Sequence, residues 1–135
     1  MQTILVTGGA GYIGTAVVDQ LLNSGHTVVV FDDLSAGQRE KVPAGATFVE
    51  GAVTDKAAVA ACFNAHQFDA VIHCAAKKSV GESEQDPAGY FHTNVAGTLT
   101  LLTEMAAAGV PHLVFSSTAA VYDPSQPAPF TEETP

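Results

Sequence analysis

Basic residues are scarce in this chain. Five lysines and arginines stand against fourteen acids, a formal net charge of −9. A surface of that sign argues against nucleic acid and anionic membranes as partners, since both draw affinity from a basic face. Cysteine is scarcer still. Cys62 and Cys74 stand without a C-x-x-C spacing, so two reduced, buried thiols are expected rather than a disulfide or a metal site. The five histidines share no metal-like spacing, and no metal is expected. Long apolar runs are also lacking: none reaches the roughly 18 residues of a membrane span. The start, MQTILVTGG, has neither the basic stretch nor the cleavage site of a secretory signal. A cytoplasmic protein is the expectation.

What is present is apolar and punctuated. Apolar residues make up 47% of 135 residues, enough for one domain with a core. Short β-branched runs at 3–7, 26–33, 46–51, 68–76 and 112–117 read as strands. Helical patterns fall between them. Residues 15–25 carry apolar side chains at 17, 18, 21 and 22 and close on Gly25, and 55–67 open on Asp55 as N-cap. Residues 86–109 open on Asp86 and Pro87 and end at Gly109. Near-continuous apolar strands alternating with helices predict a parallel sheet covered on both faces. Right-handed crossovers give the order 3-2-1-4-5. The helix and outer strand that would follow the fifth strand are not in the sequence, so a domain truncated there is expected. The tail from Asp123 is Pro-rich and linker-like.

The chemistry concentrates in TGGAGYIG. Gly9, Gly11 and Gly14 spell G-x-G-x-x-G, while Gly8, Gly11 and Gly14 spell G-x-x-G-x-x-G. Either pattern, between a first strand and a first helix, lets backbone approach a pyrophosphate and brings it to a helix N-terminus. That placement explains how an acidic chain can hold a phosphate compound: backbone N–H groups do it, not net charge. A dinucleotide site also needs a carboxylate at the tip of the second strand, about 20 residues on, for the ribose hydroxyls. Asp32 and Asp33 stand eighteen and nineteen residues after Gly14. No Arg or Lys sits beside them to receive a 2′-phosphate, so NAD is preferred to NADP. The expected fold is an α/β, Rossmann-type doubly wound sheet, with 1–135 an incomplete NAD-binding domain.

With TGGAGYIG, FDDLSAG, KKSVGES, NVAGT and FSSTAAVY in this order, the chain resembles the extended short-chain dehydrogenase/reductase family. Within it, the chain is most similar to the UDP-glucose 4-epimerases. The resemblance covers essentially the whole sequence and less than half of a family member. It implies NAD as cofactor and a UDP-hexose as substrate, with a homodimer as one arrangement of the full-length protein. The reaction implied interconverts UDP-glucose and UDP-galactose by reversible hydride transfer at sugar C4, through a 4-keto intermediate. Gly8, Gly11 and Gly14 would form the phosphate turn, with backbone N–H from Tyr12 and Ile13. Asp32 would hold the adenosine ribose, and Asp33, Leu34, Ser35, Ala36 and Gly37 would wrap the adenine side with Ala52 and Val53. Cys74, Ala75 and Ala76 would line the tip of the fourth strand under the dinucleotide. Lys78 matches the family lysine near the cofactor phosphates, with Lys77 pointing to solvent, or the two lysines exchange these roles. Asn94 matches the helix asparagine that organises the cofactor, and Thr118 the catalytic Ser or Thr.

Departures from the family pattern matter as well. Ala52 stands where members carry an Asp that meets the adenine amino group. Asp123 replaces the glycine of the usual VYG. The family's acid/base is the tyrosine of a Tyr-x-x-x-Lys pair. Here Tyr12, Tyr90 and Tyr122 are followed four residues on by Ala16, Asn94 and Gln126. The 135 residues alone are therefore expected to be inactive. Dehydratases on this scaffold place acids after the catalytic Thr, where this chain has Ala119 and Ala120. Those alanines count against a dehydratase; the alternatives are another nucleotide-sugar-modifying member of the family, a decarboxylase or a dehydratase, and a non-catalytic dinucleotide-binding module. A hydrolase does not fit, because no G-x-S-x-G surrounds Ser116, Ser117 and Thr118. His73, in the fourth strand, reads as a satisfied core histidine.

Overall fold

The computed structural model describes residues 1–118, 121–123, 125–126 and 128–134. Ala119 and Ala120, which bear on the dehydratase alternative, lie outside the described residues, as do Pro124, Pro127 and Pro135 of the tail. Five parallel strands, β1 (Thr3–Thr7), β2 (Thr27–Asp32), β3 (Thr47–Glu50), β4 (Ala70–His73) and β5 (His112–Phe115), form one sheet in the order β3-β2-β1-β4-β5. Thr7 lies opposite both Phe31 and His73, and His73 lies opposite Phe115. The strands therefore end level along one carboxyl edge.

Alternation along the strands divides the core. Ile4, Val6, Val28 and Val30 face one side, under Val18 and the half-buried Val17, Leu21 and Leu22 of helix α1 (Tyr12–Asn23). Leu5, Val29, Phe31 and Val71 face the other side. There they meet Val59 and Phe63 of α2 (Lys56–Ala65), and Leu101 and Met105 of α5 (Thr98–Ala108). Burying each such side chain stabilises the fold by about 1.5–3 kcal/mol. The sheet is covered on both faces over β1 and β2, as the apolar runs predict, while Val114 and Phe115 of the edge strand β5 stay exposed.

Caps set the helix boundaries. Asp55 accepts from Ala57 and Ala58 N–H at 2.9 and 3.1 Å, satisfying two of the four orphan donors of α2. α5 ends where Gly109 turns left-handed at φ 70°, a conformation that costs glycine little. The helix read over 86–109 is helical from Pro87, but not uniformly. A short α4 (Pro87–Phe91) widens into a π turn (His92–Gly97) before α5. One further short helix, α3 (Val80–Gln85), was not anticipated; Ser79 caps it through Glu82 N–H. β4 and β5 are shorter than their apolar runs. The chain leaves the sheet at Cys74 and Ser116, toward the carboxyl edge.

Candidate functional site

The turn after β1 is built by close approach. Gly8 has φ 70°, and a Cβ there would stand 2.6 Å from Ala75 N and 2.7 Å from the Cys74 carbonyl carbon. A Cβ on Gly14 would overlap Gly8 O and stand 2.7 Å from Gly9 Cα. Both sites admit glycine alone without backbone movement. The turn is thereby pressed against the first residues beyond β4. This is the point where strand order reverses, and ligands of open α/β sheets bind there.

The first turn of α1 opens onto that edge. Its N-cap is Gly11, with no side chain to give, and the turn contains no acid. Tyr12 is 87% exposed and Ile13 lies beside it in the open. Uncapped N–H groups at a twelve-residue helix N-terminus suit an anion. A pyrophosphate fits the turn that the glycines leave.

Asp32 ends β2 only 7% exposed. Its Oδ2 accepts Ala10 N–H at 3.0 Å and its Oδ1 accepts Leu34 N–H at 2.8 Å. The carboxylate thus ties the glycine turn to the loop after β2, where Leu34 takes φ 59°, an uncommon conformation for a branched residue. Each carboxylate oxygen has further lone-pair capacity for a ribose hydroxyl. Asp33 stays exposed and accepts both Ser35 N–H at 2.9 Å and Ser35 Oγ–H at 2.6 Å. Ser35 and Ala36 are exposed, and Gly37 packs on Ala10. The Arg39 guanidinium sits over the Phe48 ring, 4.4 Å from its centroid. That cation–π contact engages it at β3. Ala52 is half-buried, while Val53 is in the core against Gly97.

At the tip of β4, Cys74 and Ala75 are half-buried and Ala76 is exposed. Cys74 is less enclosed than the sequence reading expected; burial still pushes its thiol up, against a smaller opposing effect of a Ser116 hydrogen bond. Lys77 and Lys78 follow, and they differ. The Lys77 ammonium, expected in solvent, lies 3.6 Å from Asp86 Oδ2 and 5.5 Å from the Tyr90 ring centroid. Lys78 is exposed and, among the described residues, has no ion pair, which leaves its charge for a ligand. Asn94, in the π turn, brackets the Lys77 backbone: Oδ1 accepts its N–H at 2.8 Å and Nδ2 donates to its carbonyl at 2.9 Å. Tyr90 pins the same loop, with its hydroxyl accepting Ser79 N–H at 2.9 Å and donating to Glu82 at 3.0 Å. Thr118 stands exposed just past β5, on the same edge.

The structure therefore brings the glycine turn, the Asp32 loop, the β4 tip and the Asn94 turn to one side of the sheet. Two groups escaped the sequence reading: Tyr90, and the backbone target of Asn94. An asparagine and a threonine four residues apart inside a helix, both poor helix formers, were the available signal. Among the described residues, no cluster of His, Cys, Asp or Glu could hold a metal, and no helix is long and apolar enough to cross a membrane.

An edge with these parts defines a dinucleotide-binding α/β domain. The profile of the NAD dependent epimerase/dehydratase family matches residues 4–135. The chain belongs to that family, whose cofactor is NAD. It is similar to the UDP-glucose 4-epimerase of Erwinia amylovora, 46% identical over 141 residues that cover 99% of this chain and 42% of that protein. A crystal structure of a UDP-glucose 4-epimerase matches with TM-score 0.91 and 42% identity, over 98% of this chain and 40% of that one. The Thermus thermophilus UDP-glucose 4-epimerase, solved in complex with NAD, matches with TM-score 0.84 and 43% identity, over 86% and 37%. The chain spans about two fifths of the length of these relatives.

Proposed function

We propose that residues 1–135 are the cofactor-holding part of a UDP-glucose/UDP-galactose 4-epimerase. The observation that carries this reading is the meeting of four elements on one carboxyl edge, with Thr118 delivered to the same edge by β5. The first-turn N–H groups of α1 would hold the pyrophosphate, Asp32 the adenosine ribose, and Lys78 a phosphate charge. NAD at that edge supplies a reversible hydride acceptor for sugar C4. The chain's own contribution is orientation. Asp32 fixes the loop that would wrap the adenine, and Asn94 fixes the β4 loop. The Thr118 hydroxyl would hydrogen-bond the sugar 4-hydroxyl and hold it for deprotonation. That proton needs a base that the three tyrosines of this chain, lacking a lysine four residues on, do not provide. Residues 1–135 alone are therefore inactive on this reading.

A chimera tests it. Residues 1–135 are joined to the remaining three fifths of the Erwinia amylovora enzyme and assayed for UDP-galactose conversion. The chimera should turn over and lose most of its rate on Thr118→Ala, while the isolated chain shows none. A folded, NAD-loaded chimera without turnover would contradict the epimerase reading and favour a dinucleotide-binding module.

A further inference from the structure

His73 ends β4 with 2% of its surface exposed, between two hydroxyl groups. Thr7 Oγ1 lies 2.6 Å from Nδ1, and Thr98 Oγ1 lies 2.9 Å from Nε2. Counting hydrogens fixes the direction of each bond. Thr98 has a single hydroxyl hydrogen and donates it to the Asn94 carbonyl at 2.6 Å. Its oxygen must then accept from Nε2–H. Burial holds the ring's pKa below its ordinary value, which favours the neutral form. A neutral ring protonated at Nε2 has a bare Nδ1, so Thr7 donates to it.

The result is a directed line of hydrogen bonds from β1 through β4 into the π turn that carries Asn94. π turns are rare and appear mostly as single-turn bulges, frequently at functional sites. This one is held at two points: Gly97 against Val53, where a Cβ would stand 2.7 Å from Val53 Cγ2, and Thr98 against His73. The Phe115 ring packs on the imidazole from the β5 side, the ring centroids 5.7 Å apart. Asn94, whose carbonyl Thr98 binds, brackets Lys77 with its side chain.

We propose that His73 is a positioning residue: its neutral, Nε2-protonated ring anchors Thr98, and through it the turn from which Asn94 sets the Lys77–Lys78 loop. Its role at the cofactor site rests on the NAD-binding reading above; the hydrogen-bond line itself does not.

Nitrogen-15 spectra of the His73 ring in the full chain should give a protonated Nε2 and a bare Nδ1 at neutral pH. A protonated Nδ1, or a charged ring, overturns the assignment. Two variants then separate anchoring from packing. His73→Gln keeps a donor toward Thr98, whereas His73→Asn can keep an acceptor toward Thr7 but is too short to reach Thr98. Hydrogen exchange at the Lys77 amide should be about tenfold faster in His73→Asn, the effect of one lost buried hydrogen bond, and near the native rate in His73→Gln. Equal acceleration in both would leave packing alone and overturn the proposal. Should a His73 variant not fold, Thr98→Val should accelerate the same exchange and Thr98→Ser should not, with equal rates again overturning it. NAD affinity should follow the same order across the variants. If ring and exchange results hold while the native chain does not bind NAD, the positioning of Asn94 stands and the cofactor reading fails.

Discussion

Asn94 holds the backbone of Lys77 from both ends, accepting its N–H at 2.8 Å and donating to its carbonyl at 2.9 Å across seventeen residues of sequence. No regular ladder supplies those bonds; side chains hold the loop bearing Lys78, Asn94 at Lys77 and the Tyr90 hydroxyl at Ser79 N–H. Asn94→Leu keeps the volume and removes both bonds. NAD affinity should fall about tenfold, with stability lowered by about 1–3 kcal/mol. Titration and urea unfolding on the same sample check both. Native affinity in this variant would mean that the bracket does not shape the site.

Asp32 does two jobs with one carboxylate. In Asp32→Asn the amide turns a donor toward either Ala10 N–H or Leu34 N–H, which now meet at 3.0 and 2.8 Å. One buried charge-assisted hydrogen bond is lost, a cost of about 1.5–3 kcal/mol. The variant should bind NAD more weakly and reject NADP less, because the charge facing a 2′-phosphate is gone. Parallel titrations with the two cofactors read the ratio.

Gly14→Ala places a Cβ against Gly8 O and 2.7 Å from Gly9 Cα. Both neighbours are backbone and cannot rotate away, so α1 must lift from the turn. Overpacking of this kind costs about 1–3 kcal/mol. The urea midpoint should drop and NAD binding should be lost together. Gly25→Ala is the contrast. Nothing lies within 4 Å of a Cβ there, though φ is 81°, so it should lower stability without touching NAD affinity at saturating folded fraction.

Two buried groups make stability fall at both ends of the pH scale. Burial pushes Cys62 from 9.0 up to about 11, so between those values the unfolded chain loses a proton that the folded chain keeps. Stability therefore declines as pH rises through that window, and Cys62→Ala should flatten the decline. His73 is held below 6.5 by burial. There the unfolded chain gains the proton first, and stability is lost as pH falls below 6.5. Urea midpoints across pH, compared between native chain and each variant, isolate the two contributions.

Much of this was legible in sequence because it is local. The β-branched runs, Asp55 and Asp86 as caps, and Gly25 and Gly109 as stops each act within a few residues. Strand order followed from the handedness of crossovers. The glycine turn and Asp32 are visible because one fixed spacing serves one ligand. What stayed hidden is tertiary or in competition with local pattern. The short helix α3 carries no apolar period, and its only local sign is Ser79 three residues before Glu82, where Ser79 caps it. The π turn interrupts a helix whose apolar spacing gives no warning. Asn94 and Lys77 lie seventeen residues apart in sequence and meet where a helix packs on the β4 loop, while Thr7 and His73, sixty-six apart, are brought together by the sheet register.

The central claim is that this carboxyl edge seats NAD. Isothermal titration of the chain with NAD, alongside Gly14→Ala and Asp32→Asn, tests it most directly. The account predicts saturable binding at one site per chain, tighter than for NADP, lost in Gly14→Ala and weakened in Asp32→Asn. No binding by a folded native chain, or binding that neither substitution changes, would contradict it.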